Sequence, residues 1–151
     1  MRPEDTIDFH LRWAWQKMSN LYNKEAANYG STMSIGFILL NIEKEGTPST
    51  SLGPKMGMKA TSLARSLKLM EEEDLIKREV DENDKRKVLV FLTAKGKRMR
   101  DHSRDTVFSM NKMLRSKIDK NKLKTFFEVL VELNAELDQT IELNISNEKT
   151  H

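Results

Sequence analysis

Thr61, Ser62, Arg65 and Ser66 fall within a turn and a half of one segment, and Lys59 and Lys68 flank them. Leu63, Leu67 and Met70 form the segment's opposite, apolar side. Polar and basic groups on one helix face suit the edges of base pairs in a DNA major groove. An arginine fork fits the two acceptors of guanine, hydroxyls pair with either kind of edge, and ammonium groups suit phosphates. Arg65 is the candidate for guanine, and Lys59 and Lys68 for the backbone. A second cluster, Asp84, Lys85, Arg86 and Lys87, lies between two β-prone stretches. An arginine at a hairpin tip gains from the concentrated negative potential of a minor groove. Arg86 is expected there, with Asp84 holding its guanidinium through a bidentate pair. Either cluster alone reads equally as a solvated surface; their succession points to double-stranded DNA.

The elements that must hold these groups follow from periodicity. Residues 5–28 carry Ile7, Leu11, Ala14, Met18 and Leu21 at helical spacing. After the break at Asn28 to Ser31, a helix capped by Ser31 or Thr32 runs to about Lys44, with Ile35, Ile38, Leu39 and Ile42 inward. Gly46 to Ser49 is a break. A short helix at 50–56 is expected to hold Pro54 in its first turn, where a missing N–H does no harm. Gly57 turns the chain into a helix over 59–73, with Ala60, Leu63, Leu67 and Met70 inward. Strands at 76–80 and 88–92 enclose the charged loop as a hairpin. Thr93 caps a helix over 94–116, and Asp119 caps one over 120–143. The latter is expected to bury Leu123, Phe126, Phe127, Leu130, Leu133, Leu137 and Ile141. The tail from Ser146 to His151 reads as frayed. The expected fold is mainly α: a winged helix-turn-helix lobe over about 32–93 with a two-stranded wing, plus dimerisation helices over about 5–28 and 94–145, in one domain. Two long apolar stripes in so short a chain call for a second copy.

At Asp84-Lys85-Arg86-Lys87-Val88, followed by Leu92-Thr93-Ala94-Lys95-Gly96, the sequence resembles the MarR family of bacterial transcription regulators. The family's wing carries Asp-x-Arg and then an apolar strand ending Leu-Thr-x-x-Gly. Thr61 to Arg65, with Met70-Glu71 and Leu75 to Arg78, is similar to its recognition helix and first wing strand. The resemblance implies a homodimer on a pseudo-palindromic operator, acting as a repressor and released by a small ligand that is often aromatic and anionic. Two-fold recognition from one face needs reading helices about 34 Å apart, so a ligand preferring another separation weakens DNA binding. The family often has glycine before the apolar pair that opens the wing; here Asp74 stands there, after Glu71, Glu72 and Glu73. Four acids at a helix C-terminus oppose its dipole, and Asp74 can adopt the left-handed conformation less easily than glycine.

Composition limits the rest. Of 151 residues none is cysteine, which removes thiolate metal sites, disulfides and cysteine nucleophiles. Residues 55–100 carry 13 Lys and Arg against 8 Asp and Glu, and the remainder 13 against 15, so the basic excess coincides with the polar face and the wing. The start shows no secretory h-region and the apolar run at 35–40 is too short for a bilayer; a cytoplasmic protein without membrane contact is expected. His10, Trp13 and Tyr22, with Met33 and Phe37, are candidates for lining an effector pocket, and equally for core or subunit interface. Isolated histidines make no metal motif, and no cofactor or catalytic residue is expected, since nucleophile–base pairs and phosphate loops are missing. The alternative to a regulator is a winged-helix module for protein–protein contact without specific DNA binding.

Overall fold

The computed structural model describes residues 2–148. After a 3-10 turn at Pro3–Asp5 come α1 (Ile7–Ala27), α2 (Met33–Leu40), β1 (Thr47–Pro48), α3 (Ser49–Met56), α4 (Ala60–Glu72), β2 (Ile76–Val80), β3 (Val88–Leu92), α5 (Ala94–Lys117) and α6 (Lys120–Glu148). The chain divides into two compact units, residues 1–108 and 109–151, with the boundary inside α5. The fold is mainly helical with a winged helix, as the periodicities required.

The sheet has three antiparallel strands in the order β1-β3-β2, not two. β1 is the correction: Thr47 pairs with Val90 and Pro48 with Leu89, inside the segment read as a break. Two residues, one a proline, leave no period to detect, and an edge strand is where a residue without an N–H fits. Thr47 is buried, and its Oγ1 accepts a hydrogen bond from the Glu43 N–H at 2.9 Å.

The lobe's core joins α2, α3, α4 and the sheet. Ile38, Leu39, Leu52, Met70, Ile76 and Val90 are its most enclosed side chains. Burying a side chain of this size contributes about 1.5–3 kcal/mol, so these six account for much of the lobe's cohesion. Ala60, expected inward, is exposed, because the first residue of α4 precedes the packed turns. α2 is capped by Thr32, whose Oγ1 accepts from the Ile35 N–H, and it ends at Leu40 rather than near Lys44. Pro54 is the sixth residue of α3, beyond the first turn. The cost of its lost hydrogen bond stays local, because the helix stops at Met56 and Gly57 turns left-handed with φ 63°.

On the terminal helices the apolar stripes are left open within the single chain. On α1 the stripe Ile7, Leu11, Ala14 and Leu21 is exposed, and Tyr22 is the buried residue. Tyr22 meets Phe37 edge-on at 5.9 Å and Trp15 stacks on the same ring at 6.3 Å, so the packed face lies beside the apolar stripe rather than on it. On α6 the expected buried stripe is open too: Phe126, Phe127, Leu137 and Ile141 are exposed, and Leu123, Leu130 and Leu133 half-exposed. Asp119 caps α6 through Oδ1, which accepts from the N–H groups of Asn121 and Lys122. The helix continues through Glu148, and the rest of the tail expected to fray, 149–151, lies outside the described residues. No helix of the described residues is long and apolar enough to cross a membrane.

Candidate nucleic-acid interface and an adjoining cavity

α4 presents its polar side outward because its apolar side is committed. Leu63, Leu67 and Met70 are buried, and Thr61, Arg65 and Lys68 lie directly opposite at intervals of four and three residues. Ser62 is exposed on the flank of this face. Ser66 sits further round toward the core and is half-buried, which removes it from the centre of the surface. Lys59 is the N-cap residue of α4 and is exposed. Lys68 lies 3.9 Å from Glu72 on the next turn, an exposed pair of little energetic weight.

The acids at the end of α4 are each accommodated. Asp74 takes φ 57°, and the Leu75 N–H closes the helix end on the Met70 carbonyl at 2.8 Å. Glu71 accepts hydrogen bonds from the Arg78 guanidinium, which hold its carboxyl below the usual range. Lys95 donates to the Glu73 carbonyl at 2.7 Å and lies 4.0 Å from its carboxylate. Cations from β2 and α5 thus answer the unfavourable interaction of these acids with the helix dipole.

β2 and β3 pair in register from Ile76 with Leu92 to Val80 with Val88, which places Asp81 to Lys87 in the wing loop. Asp81 Oδ1 accepts from the Asn83 N–H, and the Asp81 and Lys87 N–H groups close on the Lys87 and Asp84 carbonyls. Asp84 Oδ1 accepts from the Arg86 backbone N–H at 3.1 Å and from its Nε at 3.2 Å. The backbone bond first, then the side-chain bond, lowers the Asp84 pKa. The expected bidentate pair is therefore corrected: one carboxylate oxygen serves both the backbone N–H and the Nε of Arg86. Arg86 keeps 91% of its side chain exposed, anchored at Nε and open at its far edge. Lys87 lies 4.0 Å from the other Asp84 oxygen, and Lys85 is exposed beside it.

The five pocket candidates separate. Tyr22, Met33 and Phe37 line one hollow that opens to solvent. His10 and Trp13 lie elsewhere on α1: His10 Nε2 contacts the Glu4 carbonyl at 2.8 Å, and Phe9 packs edge-on against both rings. The remaining wall comes from the α1–α2 turn and α5, with Tyr29, Ser31, Met99, His102 and Ser103. The Tyr29 and His102 rings stack at 4.3 Å. Burial pushes the Tyr22 phenol pKa up. No group of three or more carboxylates and histidines suited to a metal occurs among the described residues.

No curated protein matches the chain. The family model described as MarR family matches residues 32–88. Among solved structures, the MepR–DNA complex from S. aureus superposes with a TM-score of 0.80 at 17% identity, covering 87% of this chain and 98% of that one. A probable transcriptional regulator from Pseudomonas aeruginosa gives 0.73 at 26% identity, over 87% and 99%. CouR from Rhodococcus jostii RHA1, bound to p-coumaroyl-CoA, gives 0.74 at 21% identity, over 86% and 92%. With its polar α4 face and its Asp84–Arg86 wing, the segment 32–88 matches the model of the MarR family, and the chain has the winged-helix fold of these solved structures.

Proposed function

We propose that the protein is a sequence-specific DNA-binding transcriptional regulator, a repressor acting as a homodimer on a pseudo-palindromic operator and released by a small ligand. The lobe over 32–93 reads DNA, and the helices over 5–28 and 94–145 pair the subunits. The observation that carries this reading is the pairing of two exposed surfaces that no core packing occupies. They are the outward Thr61, Arg65, Lys68 face of α4 and the nine-tenths exposed Arg86 on its Asp84 anchor. Arg65 enters the major groove, Arg86 the neighbouring minor groove, and Lys59, Lys68, Lys85 and Lys87 meet phosphates. The DNA-bound relative supports the first part of the reading and the ligand-bound relative the second. The hollow beside Tyr22 and Phe37 is the ligand site, because it is walled by helices on both sides of the α1–α2 turn, where a guest alters their spacing.

A mobility shift with the DNA upstream of the gene tests the reading. Affinity is expected to fall about 10³-fold or more between 50 and 200 mM salt, as for six or more phosphate contacts per dimer, and to favour one site over random duplex. Equal binding to every duplex, or none, overturns it in favour of a protein-contact module. The dimer is tested separately. Leu130→Lys places a charge in the open α6 stripe, and the particle mass is expected to halve while operator affinity drops about 100-fold or more through loss of two-site avidity. A folded monomer with undiminished affinity refutes dimeric recognition.

A further inference from the structure

We propose that the hollow of the first unit takes an uncharged aromatic ligand with a hydrogen-bonding edge, and discriminates against carboxylates. This rests on reading that hollow as the regulatory site and narrows it to one ligand class. Its wall contains no Lys, Arg, Asp or Glu. Of the neighbouring α5 arginines, Arg100 pairs with Asp101, and Arg104 with Asp101 and Asp105, while Arg98 is exposed and outside the wall. An anion entering such a site gives up part of its hydration and meets no fixed opposite charge on this wall, which is unfavourable. An uncharged ring meets the rings of Tyr22, Tyr29 and Phe37, and stacking needs no charge. The polar part of the wall is made of hydroxyls and the His102 imidazole, whose face is covered by Tyr29. One hydroxyl is unsatisfied: Ser31 Oγ is buried and has no hydrogen-bond partner. A buried polar atom of this kind favours a guest that supplies the missing bond. Met33 and Met99, unbranched and flexible, are the wall residues able to swing aside for it.

The test titrates the full-length protein, without DNA and at pH 8, with 4-hydroxybenzamide and its isosteric anion 4-hydroxybenzoate. The readout is tryptophan emission, since Trp15 stacks on the wall residue Phe37, checked by calorimetry. The amide is expected to bind at least about tenfold more tightly than the benzoate. Ser31→Ala is expected to weaken the amide about tenfold without lowering the melting temperature, because no hydrogen bond of the unliganded chain is lost. Met33→Trp, which fills the hollow, is expected to abolish binding while the protein stays folded. Benzoate binding as tightly as the amide, neither compound binding by about 10 mM, or the amide surviving Met33→Trp each overturns the inference. Benzoate that binds and releases DNA sinks this ligand class but leaves the regulator standing. Amide binding by a protein that never shifts DNA does the reverse.

Discussion

Arg65→Ala is expected to weaken operator binding by about 2–6 kcal/mol, because one substitution removes a contact from each half-site and each bidentate arginine–guanine contact is worth about 1–3 kcal/mol. The size of the effect follows from where Arg65 stands. It lies opposite the buried Leu63, Leu67 and Met70 side of α4 and is exposed, so its removal leaves the lobe's core untouched. Among the described residues no carboxylate forms an ion pair with it, and its donors are free for DNA. The loss should be sequence-selective: discrimination disappears at one symmetry-related pair of base positions, and the salt slope stays nearly unchanged. Arg65→Lys keeps the charge and loses the fork, so it should bind random duplex as well as the parent and still fail to discriminate. A uniform loss on all sequences, with a salt slope reduced by about one for each phosphate contact removed, shows instead that Arg65 clamps the backbone and that α4 reads bases through other side chains.

The polar face of α4 and the wing hairpin were legible as structure because their signals are local. Asp84 and Arg86 are two residues apart, the turn-forming run between two β-prone stretches fixes the hairpin, and the buried side of α4 has a clear helical period. Asp74 was marked by the resemblance alone, standing where the family often has glycine, and it does take the left-handed backbone at φ 57°. What stayed hidden depends on tertiary contact. The β1 pairing is two residues long and acquires its role only through β3. Composition could not show that cations at 78 and 95 would reach back to the acids of α4. The hollow's α5 wall, with Met99, His102 and Ser103, lies in a stretch dense in charge that reads as solvated surface. His10 and Trp13 were grouped with Tyr22 by aromatic type, although they lie on another part of α1. The stripes of α1 and α6 were identified as apolar, but periodicity cannot tell a face buried within the chain from one left open in it.

Gly96→Ala is expected to lower stability by about 3–5 kcal/mol, near the upper end for single substitutions and a large part of the 5–15 kcal/mol available to an ordinary domain. Gly96 is buried in the first turn of α5, and its approach to the α4–β2 corner leaves no room for a side chain. An added Cβ would clash with the Leu75 carbonyl oxygen and lie 2.9 Å from its carbon. Neither side can yield cheaply. The Leu75 carbonyl accepts from the Thr93 N–H at 3.1 Å, while the Thr93 hydroxyl donates to the Asp74 carbonyl at 2.6 Å and accepts from the Gly96 N–H at 3.0 Å. The corner that turns the chain from α4 into β2 is thereby fastened to the start of α5. This is the physical content of the Leu-Thr-x-x-Gly pattern: threonine makes the fastening and glycine allows it. Gly57→Ala supplies the contrast, since nothing stands within 4 Å of a Cβ there and the penalty is only that of a left-handed alanine, about 1–2 kcal/mol. Thermal unfolding should therefore rank parent, Gly57→Ala and Gly96→Ala in descending order, with the last lower than the parent by about 10 °C or more. A Gly96→Ala protein melting with the parent would mean that α5 does not begin against Leu75, and that the wing is positioned by some other contact.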